Sequence, residues 1–272
     1  MIAMAELTGR QRLDEALVVR GLVETRSRAR ALILARDVTV NGIVVDRAGA
    51  NVRPSDALGL VEKARFASRG GEKLDHALDR FGIDVGGMVA ADLGASTGGF
   101  TDVLLQRGAA RVYAVDVGYG QLVERLRTDP RVVVMDRTNA RHLDRLPEPI
   151  GFASVDVSFI SLSLVLPAVA RILESGGTCV PLIKPQFEAG RRDVGKGGVV
   201  RDPEIHRRVL LEVASAAHQE GFFVRSVTAS PLRGPARNVE FLAHLSLDGE
   251  TAPAEETTAM IAAALAEAAE AA

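Results

Sequence analysis

From Val89 onward the chain alternates short apolar runs with helical stretches, and this limits its possible folds more than any other feature. Runs at 89–93, 111–116, 131–135, 152–157, 177–183, 223–229 and 240–247 read as strands. Helical spacing fills the gaps at about 99–107, 120–127, 160–174 and 203–220, with a short helix near 140. Alternation of this kind predicts a largely parallel sheet covered on both faces. The last two strands are separated only by Ser230 to Asn238, too few residues for a crossover helix. They should therefore be antiparallel neighbours.

The expected fold class is thus α/β, with a seven-stranded, mostly parallel sheet and an antiparallel last strand. That is the pattern of a class I (Rossmann-like) methyltransferase, not of a plain dinucleotide dehydrogenase. The first strand ends in Gly94-Ala95-Ser96-Thr97-Gly98-Gly99, and Phe100 opens the apolar side of the next helix. A strand, a glycine turn and a helix let a ligand approach backbone N–H groups.

Residues 1–61 form a separate, small α+β unit after a loose leader. Leu13, Ala16 and Leu17 predict a short helix stopped at Gly21, and Ser27 to Ala35 a second. Val38-Thr39-Val40 and Ile43-Val44-Val45 flank Asn41-Gly42, a strong hairpin signal. Residues 62–68 read as a linker, 69–248 as the catalytic domain, and 249–272 as an acidic Ala/Glu-rich tail where no chemistry is expected. The pattern Arg12-Leu13-Asp14, Gly21-Leu22-Val23, Ser27-Arg28, Val38-Thr39-Val40-Asn41-Gly42 resembles the S4 RNA-binding domain.

Net charge is −2, yet six acids and no Lys or Arg lie from Asp248 onward, which leaves the rest of the chain at +4. A mildly basic body with an acidic tail is compatible with RNA binding. Arg12, Arg26, Arg28, Arg30 and Arg36 of the small unit are candidate RNA contacts. So are Arg69 and the glycine-rich basic loop with Arg191, Arg192 and Lys196, expected to be mobile. Cys179 is the only cysteine, so no disulfide framework or multi-cysteine zinc site can form. With no leader-like start and no long apolar run, a cytoplasmic protein with no membrane partner is expected.

Candidate chemistry gathers at the strand ends. Asp92, Asp116, Asp136 and Asp156 lie at or near successive carboxyl ends, where an open sheet has its ligand crevice. Asp116 is placed for ribose hydroxyls, with Val117 beside it. Asp136 is placed near an adenine amine, with Arg137 and Thr138 alongside. Lys184 closes an apolar strand, where it could orient or deprotonate a hydroxyl. The turn also matches Gly-x-Ser-x-Gly, the nucleophile elbow of serine hydrolases. His206 and His218 fall in the helix expected over 203–220 and His244 falls mid-strand, none of the three in a natural loop at a strand's carboxyl end, so that reading is disfavoured.

At Ser68 to Leu74, Asp92 to Thr101, Asp116 to Leu122, Arg137 to Arg141, Asp156 to Ser161 and Leu182 to Glu188, the chain resembles the TlyA family. These are rRNA 2′-O-methyltransferases that also carry the name haemolysin. The resemblance implies an FtsJ-like catalytic domain with a Lys-Asp-Lys-Glu tetrad, here Lys73, Asp156, Lys184 and Glu240. It implies S-adenosylmethionine as cofactor, held by Gly94, Ala95, Ser96, Thr97, Gly98, Gly99, Phe100, Asp116, Val117, Asp136, Arg137, Thr138 and Asp156. Ribosomal RNA or subunits would be the partner, with no metal needed. A monomer is expected, and a pore-forming role is disfavoured because no segment looks built for membrane insertion.

Overall fold

A computed structural model describes residues 9–61, 64–248 and 254–270. The expected leader (1–8), the start of the expected linker (62 and 63), and 249–253 and 271–272 of the tail lie outside the described residues. The chain divides into two compact units, Met1–Arg65 and Phe66–Ala272.

The small unit runs β1 (Gln11–Arg12), α1 (Leu13–Val19), α2 (Arg26–Leu34), β2 (Val38–Val40), β3 (Ile43–Val44), β4 (Asn51–Val52) and β5 (Leu58–Leu60). Gly21, at φ +71°, ends the first helix, and its neighbour Leu22 returns a backbone bond to the Leu17 carbonyl. Thr25 caps the second helix by accepting from the Arg28 N–H. Asn41 and Gly42 both have positive φ, as the tight β2–β3 hairpin requires. Leu13, Ala16, Leu17, Ala29, Ile33, Val38 and Val52 form the core.

The large unit opens with α3 (Gly70–Phe81) and continues β6 (Val89–Leu93), α4 (Gly99–Gln106), β7 (Arg111–Val115), α5 (Glu124–Arg127) and β8 (Val132–Met135). Then come β9 (Ile150–Val155), α6 (Leu166–Ile172), β10 (Leu173–Ile183), α7 (Pro185–Glu188) and α8 (Pro203–Gln219). The chain closes with β11 (Phe222–Ala229), β12 (Phe241–Leu247) and α9 (Ala254–Glu270). The sheet order is β11-β12-β10-β9-β6-β7-β8. β12 alone runs against its neighbours, pairing antiparallel with both β10 and β11. The expected fold class is the one the structure shows.

Period-2 alternation divides the core between the two faces of the sheet. Leu93, Val115 and Val155 pack with α6, α8 and α9, whereas Ala90, Val112 and Phe152 pack with α3 and α4. Three expected elements differ in extent. The helix expected over 160–174 splits into a 3₁₀ turn, Leu162–Leu164, and α6, and β10 begins at Leu173 with a register shift before Thr178. The helix expected from 120 begins at Glu124, because Asp116 takes the Gly118 N–H and Asp136 takes the Gly120 N–H. The tail's residues 254–270 are one helix that buries Ile261, Ala264 and Ala268. Its Glu267 accepts from Thr228 Oγ1 and the Ala229 N–H and pairs with Arg80.

Candidate active site and RNA-contacting residues

The carboxyl edge of the parallel strands carries the site. Leu93 is in register with Val155, so Gly94 follows beside Asp156. Gly94 has φ +92°, and a Cβ there would collide with the Asp156 carbonyl. Glycine is therefore required at this position on two counts. The other turn glycines serve packing. A Cβ on Gly98, at φ +98°, would meet Leu122 and Leu126, and one on Gly99 would meet Ser68 and Gly71. Gly99 thus lets the start of α4 approach the start of α3. Phe100 is buried in the core and Ala95 is buried, while Thr97 is exposed.

A cleft of about 350 Å³ opens at this edge. Gly94, Ser96, Asp116, Val117, Thr138 and Asp156 line it. Asp116 accepts the Ser96 N–H at 2.8 Å through one oxygen and the Gly118 N–H at 2.7 Å through the other. Each oxygen retains a further lone pair for a ligand hydroxyl. Val115, Val117, Ile160 and Val165 supply apolar surface. Asp136 and Arg137 stand back from the cleft. Asp136 pairs with Arg127 at 2.9 Å, and this bond, with that from Gly120 N–H, holds its carboxyl below the usual range. Arg137 lies over the Tyr119 ring, 4.5 Å from its centre.

The four residues of the expected tetrad form two ion pairs. Lys184 is buried, and its Nζ lies 2.6 Å from Asp156 Oδ1 and donates at 3.0 Å to both the Val157 carbonyl and Ser158 Oγ. Asp156 Oδ1 accepts no hydrogen bond, so that contact is an ion pair alone, and the ammonium keeps a donor beyond the two it spends on Val157 and Ser158. Lys73, one turn into α3, reaches Glu240 Oε2 at 2.5 Å. The β10–β12 register pairs Ile183 with Phe241, which sets Lys184 opposite Glu240 at the next position. Glu240 is 1% exposed, and its Oε1 has no hydrogen-bond partner. That orphan oxygen faces Gly234, whose missing Cβ makes the space.

Asp92 lies inside β6 and is wholly buried. It accepts from the Thr101 N–H and Oγ1 and from Ser154 Oγ, and burial pushes its carboxyl up to about 7. It braces β6, α4 and β9 beneath the cleft. Sequence reasoning passed over Phe159, Gln121, Asn139 and Arg141, which also line the cleft. Phe159 is 90% exposed at φ +65°, 4.9 Å from the Phe187 ring centre. An aromatic just past a strand end is a signal of sorts, but its positive φ cannot be read from sequence. Ser96 Oγ donates to Gln121 Oε1, and no histidine bonds it among the described residues. This geometry removes the nucleophile-elbow reading.

In the small unit Asp14 is 0% exposed and gathers three arginines. It accepts from Arg12 Nε at 3.1 Å, Arg26 Nε at 3.0 Å and Arg30 Nε at 2.9 Å. Burial would raise its pKa, but these guanidinium bonds hold the carboxyl well below the usual range. Arg28, Arg36 and, in the large unit, Arg69, Arg191, Arg192 and Lys196 are exposed. The loop after α7 is tied near its end, where Asn238 accepts the Val200 N–H and donates to the Gly198 carbonyl. Among the described residues no cluster could hold a metal ion, and no helix is long and apolar enough to cross a membrane.

A family model for FtsJ-like methyltransferases matches residues 66–247, and one for the S4 domain matches 11–58. The 16S/23S rRNA (cytidine-2′-O)-methyltransferase TlyA of Mycobacterium tuberculosis is 49% identical over 238 residues, 85% of this chain and 88% of that protein. Hemolysin A of Brachyspira hyodysenteriae is 43% identical over 86% of this chain and 98% of its own. A solved structure from Streptococcus thermophilus, whose name carries the word hemolysin, is 44% identical with a TM-score of 0.72. It covers 97% of this chain and 98% of its own.

Proposed function

This chain belongs to the FtsJ-like methyltransferase family, in its TlyA group, and on that premise we propose that it methylates a ribose 2′-hydroxyl in ribosomal RNA. The target is a cytidine of the small-subunit RNA, the large-subunit RNA or both, in line with the named activity of the M. tuberculosis relative. The methyl donor is S-adenosylmethionine. The observation that carries the reading is the Lys184–Asp156 pair, whose Asp156 lines the 350 Å³ cleft.

The cleft suits that cofactor in size and lining, since cofactor sites run from about 300 to 1,000 Å³. Asp116 would take the ribose hydroxyls, and Val117, Ile160 and Val165 would cover the adenine. Gly94 and Ser96 would leave room for the amino-acid end. When bound, the cofactor supplies a methyl group on a positively charged sulfur. Lys184 donates to the 2′-oxygen and so fixes the direction of its free lone pair. Asp156 would take up the proton that the 2′-hydroxyl gives up, with Lys184 beside it balancing the charge. Lys73 and Glu240 hold the adjoining edge in place. Rate gain comes mainly from alignment of nucleophile, methyl and sulfur. Exposed Phe159 offers a face on which an unstacked base can lie.

The test is tritiated methyl transfer to ribosomal subunits, with mapping of the modified nucleotide. Lys184→Ala should lower kcat by about 10²–10³-fold, with cofactor affinity nearly unchanged. Full activity in that variant would remove Lys184 from the mechanism.

A further inference from the structure

A second cleft in the large unit, of about 470 Å³, lies between the loop after α7, the β11–β12 turn and the last turns of α9. Arg201, Arg233 and Arg237 line it. No carboxylate is among its described lining residues. Several arginines elsewhere in the unit are matched by carboxylates: Arg107 pairs with Asp75, Arg125 with Asp102 and Arg127 with Asp136. Arg201 and Arg237 have no such partner among the described residues. Arg233 spends one donor on the Ala268 carbonyl, at 3.1 Å, which anchors it to α9. Three guanidinium groups around one cavity, without a counter-charge, form a site for a doubly hydrogen-bonded anion.

The walls of this cleft are also parts of the catalytic edge. Both loops leave the sheet at its carboxyl end. Asn238 ties them together, and Val239, which lines the cleft, precedes Glu240. Gly234 packs on the Glu240 carboxylate next to Arg233. Ala236 and Arg237 both hold positive φ, a strained arrangement for two non-glycine residues that the Arg237–Gly234 and Gly234–Asn238 backbone bonds maintain.

We infer that this cleft is a phosphate-binding subsite for the RNA strand being methylated, with Arg201 and Arg237 as the groups that grip the backbone. The inference rests on the proposed methyl transfer to RNA. It is tested by binding, so the two can fail separately. The full chain carrying Arg201→Ala and Arg237→Ala should bind an rRNA fragment more weakly. The slope of log affinity against log salt should be shallower by about 1.5, as expected for two lost phosphate contacts. KM for ribosomal subunits should rise about tenfold or more, with kcat and cofactor affinity unchanged. Both side chains are exposed, so the melting temperature should stay at the wild-type value.

An unchanged salt slope and KM in a methylating enzyme would overturn the subsite alone. A slope that depends on the two arginines, in a protein that transfers no methyl group to any rRNA, would uphold the subsite and overturn the methylation reading. Inorganic phosphate provides the last arm. Its binding to wild type and not to the variant, with the RNA slope unmoved, would show a small-anion site and overturn the proposal.

Discussion

Single residues decide the site because the turn and the reacting groups share a backbone. Gly94→Ala meets two obstacles at once, a positive φ and the Asp156 carbonyl. We expect calorimetry to show at least tenfold weaker binding of S-adenosylmethionine, with a stability loss of about 1–3 kcal/mol. Wild-type affinity in that variant would separate the turn from the cofactor site. Asp92 makes a different prediction. Its folded pKa, pushed up to about 7 by burial, lies above the unfolded value near 4. The stability it contributes is therefore fully present below pH 4 and is lost as pH rises through 7. Asn can keep the bonds from Thr101 and cannot ionise. Thermal melts of Asp92→Asn should thus lack the decline the wild type shows between about pH 5 and 8, an effect on the order of 1–3 kcal/mol. Equal pH dependence in the two proteins would refute the assignment.

Helix α1 supplies a carboxylate that organises the cationic face of the small unit. Asp14 is buried at its first turn, and Arg12, Arg26 and Arg30 converge on it from β1 and α2. Removing the carboxylate in Asp14→Ala leaves three close cations. The arginines are about half exposed, which limits the cost to about 1–3 kcal/mol. Because the folded pKa is depressed, this contribution stands at neutral pH and fades as pH falls from about 4 through the folded value. Affinity for an rRNA fragment should drop in the same variant although every arginine remains; retained affinity would show that Asp14 does not position them. This hub also shows where sequence reading stops. The arginines of α2 were legible as a charged helix face, and the Asn41-Gly42 hairpin as a turn. That Asp14 would be buried beneath them was not, because a carboxylate near a helix start ordinarily reads as an exposed capping or dipole residue. In the large unit the strands were legible because buried parallel strands are continuous apolar runs. The two-residue β1–β4 pair carries no period to detect. Likewise the pairing of Lys73 with Glu240 spans 167 positions, and only the sheet register and α3 bring it about.

At the scale of the whole chain, charge and core are divided between two units. The small unit holds Arg12, Arg26, Arg28, Arg30 and Arg36, whereas the cleft, both lysine–carboxylate pairs and two of the three hydrophobic clusters belong to the large one. The large unit's own beginning is not at the first residue of its first helix. Phe66 is buried against Gly71, and the Ala67 N–H bonds Asp102 at 2.7 Å. Its end is not at the last strand either, since α9 closes one face of the sheet. A fragment of residues 62–272 keeps both boundaries intact. It should melt cooperatively and bind S-adenosylmethionine within about threefold of the full chain, because its core and cleft are complete. Its affinity for ribosomal subunits should fall at least tenfold, and the salt slope should become shallower by about 0.7–0.9 for each phosphate contact removed with the small unit. A fragment that stopped at Leu247 should instead unfold at markedly lower temperature, because Ile261, Ala264 and Ala268 no longer cover β11. If the 62–272 fragment bound subunits as tightly as the full chain, the arginines around Asp14 would have no part in RNA capture, and the exposed cations of the large unit would have to account for all of it.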